Sequence, residues 1–406
     1  MLDDLIDGLR KIALWVLSAS FIGLGFWAYP TIKDHLNATQ QTNIANPKPT
    51  IAVNQVTALI KAAEPQRPDP KSWAIDMLDV LKQHGLAQSK ENVCSIIAVV
   101  DQESGFVANP AVPNLGKLSE KAVINKLNQI PILGGQAEKF LNTFPDPKQS
   151  FMARIRSART ERDLDLAYRD LITELSKRYK FDFLIKNSLA RNLIEGQNEI
   201  DTIGSMQVAV SFAVQYEREQ RQGKALSLEE IYQVRDKLYT RKGGLFYGTL
   251  LLLGYETGYD RKIYRFADFN AGRYASRNAA FQALISELTA QKLMLDGDLL
   301  IYSSSGTITN TLSQTENALR LLNLKYSLNL TDKKIRSDLM LEKSQNFKDT
   351  QTYKLVRELY QKQTKHKPVY AIIPTITLNS EKTSRILTTE RFAINVNQRY
   401  QTCMKR

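Results

Sequence analysis

Glu103 closes an apolar stretch whose spacing is typical of a helix. Ile96, Val100 and Glu103 are separated by steps of four and three residues, which places them on one helical face. A carboxylate on the last turn of such a face lies at the edge of a core, where desolvation raises a carboxyl pKa and suits the group to general acid chemistry. The alternative interpretation is an ordinary solvated glutamate at a helix end.

Local signals define the helix that must position this carboxylate. Ser89 is a good N-cap residue, and Glu91 falls in the first turn, where the helix dipole favours a negative charge. Gly105 is the residue type best suited to a helix C-terminus. We therefore predict a helix that begins near Ser89 and ends at Gly105.

Two further motifs follow along the chain. Residues 204–208 are Gly-Ser-Met-Gln-Val, and residues 267–272 are Ala-Asp-Phe-Asn-Ala-Gly. A Glu-Ser pair closing an apolar helix, then G-x-M-Q, then A-x-(Tyr/Phe)-N-A-G, in this order, resembles the lytic transglycosylases with a goose-type lysozyme-like domain. It is most similar to a little-characterised branch of Gram-negative envelope proteins, many of them lipoproteins.

The resemblance implies a mainly α, lysozyme-like fold and a reaction without a cofactor. The substrate would be peptidoglycan, cleaved at the β-1,4 bond between N-acetylmuramic acid and N-acetylglucosamine. Glu103 would protonate the leaving oxygen and then accept a proton from the muramic acid 6-hydroxyl, which leaves a 1,6-anhydro sugar. Retaining and inverting lysozymes instead need a second carboxylate.

The resemblance also indicates substrate-binding residues, to which we add two nearby tyrosines. The candidates are Ser104, Ser205, Met206, Gln207, Phe269, Asn270, Tyr255 and Tyr264. Met206 would contact the sugar with its apolar side chain, and Gln207 would bind it through its amide. Phe269 stands where the family usually has Tyr, so Tyr255 or Tyr264 would have to supply that hydroxyl. Core packing is the alternative role for both tyrosines.

Two other functions remain open on the sequence. Asp260 or Asp268 could activate water, which would make the protein a hydrolytic muramidase. Phe269 and the long stretch 107–200 between the first two motifs instead favour a weakly active or non-catalytic protein that binds peptidoglycan as a scaffold. That stretch is predicted to be largely helical, with a solvated helix over Phe151–Tyr179. It is either a wall or lid of the substrate groove or a peripheral helical pair.

The charge indicates the class of partner, and the few cysteines and histidines argue against a metal site. The net charge of +13 calls for an anionic partner, and peptidoglycan or a membrane surface fits better than nucleic acid, for which no binding motif is present. With two cysteines and three histidines, the chain offers no convincing metal site. In an oxidising compartment Cys94 could pair with Cys403; two free thiols are the alternative.

The chain divides by composition into four parts. Residues 1–30 are predicted to form a signal anchor around the apolar run Ile12–Tyr29, and residues 31–70 a proline-containing linker. Residues 71–295 would be the lysozyme-like domain that the resemblance implies, with an insertion at 107–200, and residues 296–406 are predicted to form a basic α/β region. We expect the protein on the periplasmic side of the inner membrane, with other envelope proteins as further partners. A cleaved signal peptide is the alternative.

The basic C-terminal region is predicted to mix strands and helices. Leu299–Ile308 and Val369–Leu378 are rich in β-branched residues and are candidate strands. Helices are expected around Glu316–Leu324 and Tyr353–Gln361.

Overall fold

The computed structural model describes residues 50–128, 134–179, 198, 200–302, 308–378 and 387–406. The protein is mainly helical over these ranges, as predicted, and its strands are only two residues long. The predicted signal anchor lies outside the described residues, as does the linker up to residue 49. Within the described ranges, no helix is long and apolar enough to cross a membrane.

The elements up to and including the hairpin around the second motif are helices followed by two short strands. They are α1 (Val53–Ala63), α2 (Pro70–Gln83), α3 (Lys90–Ser104), α4 (Leu115–Asn128), α5 (Gly134–Thr143), α6 (Phe151–Ser157), α7 (Glu161–Tyr179), β1 (Thr202–Ile203) and β2 (Val208–Ala209). The two strands pair antiparallel, with Thr202 opposite Ala209, and the second motif forms the turn between them.

The remaining elements are again mostly helices. They are α8 (Val210–Gln220), α9 (Leu228–Leu238), α10 (Arg241–Leu253), α11 (Lys262–Ala271), α12 (Ala275–Thr289), α13 (Gln314–Tyr326), α14 (Asp332–Leu339), a 3-10 helix (Gln345–Asp349), α15 (Gln351–Thr364), β3 (Thr377–Leu378), β4 (Leu387–Thr388) and α16 (Thr389–Lys405). The helices expected near Glu316–Leu324 and Tyr353–Gln361 correspond to α13 and α15.

The first hydrophobic core surrounds α3. Every residue from Val93 to Val100 is buried, and α3 packs against α1, α2, α10 and α16. The predicted ends of this helix are confirmed. Ser89 is the N-cap, with its Oγ accepting a hydrogen bond from the Asn92 amide at 3.2 Å, and Gly105 ends the helix with φ +54°.

A second hydrophobic core is built by α12 to α15. It buries apolar residues such as Ile285, Leu322 and Val356. Arg277 of α12 is fully buried between the rings of Tyr274 and Phe347, and its guanidinium donates to main-chain carbonyls just before the 3-10 helix.

The last helix leaves this second core and returns to the first. Phe392, Val396 and Tyr400 of α16 are buried in the core around α3, and α16 packs on both α3 and α11. The structure therefore divides residues 296–406 between the two cores.

The predicted C-terminal strands are found only in part over the described residues. Residues 303–307 of the first candidate lie outside the described ranges, and Tyr302 and Ile308 on either side of them form an isolated bridge. Within Val369–Leu378 only Thr377–Leu378 is a strand, paired with β4. The preceding main chain is tied to other elements instead, because the Ile372 amide donates to the Ser276 carbonyl at 3.0 Å. Residues 371–376 therefore have no regular secondary structure and bond to the main chain of other elements.

The predicted helix over Phe151–Tyr179 is interrupted between α6 and α7. Its second half is anchored rather than merely solvated, because the fully buried Asp165 pairs with Arg235 of α9 at 2.7 Å. Arg169, one turn further along α7, bridges Asp165 and Asp236. These ion pairs attach the insertion to the helix that precedes the first core's α10.

Candidate functional site

Glu103 lies on the last turn of α3 and is half-buried. Burial raises the pKa of its carboxyl to about 7, against the opposing positive charge of Arg399. Over the described ranges, the carboxyl makes no hydrogen bond or ion pair with another residue. A carboxyl in this state can give up and take back a proton near neutral pH.

The neighbouring Ser104 joins α3 to the turn between β1 and β2. Its hydroxyl lies 2.9 Å from the carbonyl oxygen of Ser205 and 3.2 Å from that of Val100. The first two sequence motifs are therefore in direct contact, although about a quarter of the chain separates them.

A glycine is required for the shape of that turn. Gly204 has φ +86°, and a Cβ there would lie 2.2 Å from the carbonyl oxygen of Leu238. Gln207 also has a positive φ, +48°, and its main-chain N–H donates to the Gly204 carbonyl at 3.0 Å. The turn thus presses its main chain against the end of α9.

The two central residues of the turn point inward. Met206 is fully buried against Gly248 of α10, where an added Cβ would lie 2.4 Å from the methionine sulfur. Ser205 is also fully buried, and its Oγ has no hydrogen-bond partner in the described chain. Both side chains support the turn from the core side.

Gln207 stays half-buried, and its amide is already engaged. Its Oε1 accepts from the Thr202 hydroxyl at 3.0 Å, while Nε2 lies 3.3 Å from the Gly204 carbonyl oxygen and 3.5 Å from Oε2 of Glu161. Glu161 is the first residue of α7, so the insertion reaches the second motif. Sequence reasoning missed this residue, because an acidic residue at a helix start resembles a simple dipole contact.

The third motif is held by α16. Asn270 is half-buried, and its Oδ1 accepts from the Thr389 hydroxyl at 2.7 Å. Phe269 is buried and stacks on Phe392, with ring centroids 6.4 Å apart. Gly272, with φ +98°, then ends α11.

Tyr255, Tyr264 and Asp268 form hydrogen bonds with residues outside the three-residue candidate set Glu103, Gln207 and Asn270, whereas Asp260 lies exposed in a loop. Asp268 is fully buried and accepts from the hydroxyls of Tyr255 (3.2 Å) and Tyr259 (2.7 Å), as well as from two main-chain amides. The Tyr264 hydroxyl accepts from Arg261. Asp260 is exposed in the loop before α11. Tyr255 therefore supports Asp268 and the start of α12.

Two ties fix the direction of α16 along α3. A disulfide joins Cys94 to Cys403, and Nε of Arg399 donates to Oδ2 of Asp101 at 2.8 Å. The order of the partners is reversed between the helices, so α3 and α16 run antiparallel. The start of α16, with Thr389, therefore lies beyond the end of α3 that carries Glu103, and it brings Asn270 to that end.

Comparisons with known proteins place the chain among relatives without assigning a reaction. The family model described as "Protein of unknown function (DUF1615)" matches residues 66–406. The chain is 36% identical over 337 residues to "Uncharacterized protein YaiW" of Escherichia coli (strain K12), an alignment that covers 83% of this chain and 86% of that protein. No solved structure matches the chain.

Proposed function

The chain belongs to the DUF1615 family, and we propose that it is a peptidoglycan lytic transglycosylase with a lysozyme-like architecture around α3. One observation carries the proposal. Glu103, with a pKa of about 7 and no partner in the described chain, lies beside the Ser104–Ser205 bond that joins the first two motifs. The third motif is attached at the same end of α3 through α16.

The proposed reaction needs one carboxyl group. Protonated Glu103 transfers its proton to the glycosidic oxygen, and the bond from that oxygen to C1 of N-acetylmuramic acid breaks with an oxocarbenium-like centre at C1. The resulting carboxylate takes the proton of the 6-hydroxyl, and O6 forms a bond to C1. The products are a free 4-hydroxyl and a 1,6-anhydro ring, and no water is consumed.

The pKa of Glu103 supports both halves of this cycle. An acid whose pKa lies near the working pH loses little driving force as a donor and recovers the proton readily as a base. An ordinary glutamate, with a pKa of 4.5, would be almost fully ionised at neutral pH. Burial at the edge of the first core raises the pKa of Glu103 from 4.5 to about 7.

Gln207 and Asn270 are the proposed hydrogen-bonding groups for the sugars. Each is half-buried and oriented by a protein partner, Thr202 for Gln207 and Thr389 for Asn270. Such partners hold an amide in one orientation before the substrate arrives. Met206 and Phe269, both buried, act by shaping the turn and α11.

Product analysis tests the proposal. Sacculi are digested with the full chain, with Glu103→Gln, and with Glu91→Gln as the matched control on the same helix, where Glu91 pairs with Lys262. Anhydro-muropeptides from the unsubstituted protein and Glu91→Gln, but not from Glu103→Gln, are the expected result. Reducing-end products would instead identify a hydrolase, and the absence of any product would reject the enzymatic proposal.

A non-catalytic peptidoglycan-binding or scaffolding protein is the second candidate. The contact of the Gln207 Nε2 with Glu161, and the bond from the Tyr255 hydroxyl to Asp268, favour it, because these two groups would have to change partners to bind a substrate. Sedimentation with sacculi that continues without turnover, and that is unchanged in Glu103→Gln, would support this candidate.

The hydrolytic alternative has weaker support. Asp268 is buried and already accepts four hydrogen bonds, so it is poorly placed to activate water. Asp260 is exposed but lies in a different loop from the three motifs. Incorporation of oxygen from labelled water into the products distinguishes hydrolysis from anhydro-sugar formation.

The proposed location is the periplasmic face of the inner membrane, with the N-terminal segment as anchor. The disulfide between Cys94 and Cys403 supports an oxidising compartment. Peptidoglycan strands are the proposed partner, with other envelope proteins as further ones. A membrane-impermeant label that reacts with a cysteine introduced at exposed Lys365 in intact spheroplasts would support this topology, whereas protection from the label would contradict it.

A further inference from the structure

A buried carboxylate of the insertion lies against the second motif. Glu161, the first residue of α7, is only 8% exposed, and its Oε2 is 3.5 Å from Nε2 of Gln207. The sequence leaves open whether the insertion is a wall of the substrate groove or a peripheral helical pair. This contact brings the start of α7 to a residue of the candidate site.

The position of Glu161 is fixed by the residues one turn further along α7. Asp165 shares a helical face with Glu161 and pairs with Arg235 of α9 at 2.7 Å. The same guanidinium donates to the carbonyl of Ile200 at 2.7 Å, on the chain that leads into β1. Leu164 packs on the first core. The start of α7 is thus attached to α9 and to the segment just before the turn that carries Gln207.

The loop before α7 is attached to the loop that follows α3. Thr160 forms a bridge with Ala111, which lies between α3 and α4. Oδ2 of Asp163 accepts from the main-chain amides of Arg159 and Thr160, each at 2.9 Å, and so caps the start of α7. The insertion therefore leaves the end of α3 that carries Glu103 and returns to contact the second motif.

The contact with Glu161 determines which atom of the Gln207 side chain is left for a ligand. The two donor positions of Nε2 are directed at Oε2 of Glu161 and at the carbonyl of Gly204, 3.3 Å away. Oε1 accepts one hydrogen bond, from the Thr202 hydroxyl, and a carbonyl oxygen can accept two. The reverse orientation of the amide would place Oε1 against two acceptors. A ligand that donates a hydrogen bond can therefore bind Oε1 without displacing a protein partner.

We propose that Glu161 is a positioning residue of the candidate site, which holds Nε2 of Gln207 so that Oε1 is the atom available to a hydrogen-bond donor of the sugar, either a hydroxyl or an acetamido N–H. This inference rests on the proposed function for the identity of the ligand. It makes the start of α7 a wall of the substrate groove and gives the insertion a role that none of the three motifs contains.

The first measurement needs no substrate. The full, oxidised chain is labelled with nitrogen-15 at the glutamine side chains, and the Gln207 signals are identified by their loss in Gln207→Ala. Glu161→Ala is expected to speed the exchange of the Gln207 side-chain protons with water about tenfold, because a bond to a charged acceptor is removed. Glu161→Gln keeps an acceptor oxygen and is expected to change the exchange less than about threefold.

The second measurement is the binding of a soluble glycan. The probe is a tetrasaccharide of alternating N-acetylglucosamine and N-acetylmuramic acid without stem peptides, titrated into Glu103→Gln so that no turnover occurs. Adding Glu161→Ala is expected to weaken binding about tenfold, and Glu161→Gln in its place is expected to keep it within about threefold. A purely structural loss of the buried charge would affect both variants alike.

Glu174→Ala is the matched control, because it removes a carboxylate from the same helix at a position with no partner among the described residues. It is expected to leave both measurements unchanged. Glu161→Met, which keeps the length of the side chain without an acceptor, replaces Glu161→Ala if the latter does not fold. Unchanged Gln207 exchange in a folded variant without the acceptor, or equal loss of binding in Glu161→Ala and Glu174→Ala, overturns the inference.

The reaction can fail separately from this inference. Tetrasaccharide binding that depends on Glu161, in a protein that releases no anhydro-muropeptides, would support the positioning role and reject only the transglycosylase activity. If Glu103→Gln does not bind the tetrasaccharide at all, the inference is overturned together with peptidoglycan as the ligand.

Discussion

The Ser104 hydroxyl lies 2.9 Å from the carbonyl oxygen of Ser205, and this single bond joins the end of α3 to the β1–β2 turn. The bond thus connects the end of the helix that carries Glu103 to the turn that carries Gln207. The Ser104 hydroxyl fixes one element relative to another, whereas a hydroxyl that bonds within its own helix stabilises only that helix.

Ser104→Ala is therefore expected to reduce activity on sacculi about tenfold and to destabilise the fold by about 1 kcal/mol. Ser95→Ala is the matched control, since the buried Ser95 hydroxyl donates to the Glu91 carbonyl at 2.8 Å within α3 and has no other partner among the described residues. Chemical unfolding and muropeptide release measure the two effects. Equal losses of activity in both variants would contradict a specific role for the Ser104–Ser205 bond.

Glu103→Gln is expected to stabilise the protein at neutral pH. The folded pKa of Glu103 is raised from 4.5 to about 7, so the native state holds its proton more tightly than the unfolded state does. The favourable contribution is full below the unfolded value and is lost as the pH rises through the folded one. Glutamine escapes this loss, which amounts to about 3 kcal/mol at pH 7.

Unfolding free energies of the unsubstituted protein and Glu103→Gln should thus agree best near pH 4 and separate between about pH 5 and 7. The difference between the two proteins isolates Glu103 from the other carboxyls. A constant difference over this range would show that the carboxyl is not desolvated as the structure indicates.

Removal of the disulfide is expected to weaken the attachment of α16. The bond between Cys94 and Cys403 closes a loop with a sequence separation of 309 residues, and such cross-links contribute about 2–5 kcal/mol. The double variant Cys94→Ala and Cys403→Ala should unfold at lower denaturant concentration. A reducing agent should lower the stability of the unsubstituted protein but leave the double variant unchanged.

Gly204→Ala is expected to disrupt the turn of the second motif. The new Cβ would lie 2.2 Å from the Leu238 carbonyl oxygen, in addition to the cost of φ +86°. Gly223 has nearly the same φ, +84°, with no atom within 4 Å of an added Cβ. We expect about 1 kcal/mol of destabilisation for Gly223→Ala and at least about 3 kcal/mol for Gly204→Ala. Similar losses in the two variants would reject the steric explanation.

The insertion is expected to depend on its buried ion pairs. Asp165→Ala would leave Arg169 and Arg235 without their buried carboxylate and should cost about 3–5 kcal/mol. Asp170→Ala breaks the exposed pair with Arg154, which should cost less than about 1 kcal/mol. Limited proteolysis within residues 107–200 would reveal whether Asp165→Ala detaches α7, and equal cleavage of the two variants would count against this anchoring.

The helices were predicted best where the signals are local. Ser89 and Gly105 mark the ends of α3 because a side-chain cap and a left-handed residue act within a single turn, and the apolar spacing of Ile96 and Val100 follows from the helical period. The predicted strand over Val369–Leu378 was wrong over most of its length. β-Branched composition favours an extended chain but does not supply a partner strand.

The candidate site could be named from the sequence only as separate motifs. Glu103, Gln207 and Asn270 are conspicuous by type and spacing, yet their supporting residues Glu161 and Thr389 carry no sequence signal of that role. Each supporting contact joins residues far apart in the chain, so it depends on how whole helices pack.

The sequence by itself determined a helical protein with a carboxyl group at the end of a buried helix, because helix period and end signals are properties of neighbouring residues. Only the tertiary structure decided that α16 returns from the second core to lie antiparallel on α3. That return brings Arg399 to Asp101 and Thr389 to Asn270. The helix returns because its apolar side chains are buried there: Phe392, Val396 and Tyr400 are removed from water by packing on the apolar surface that α3 and α11 share.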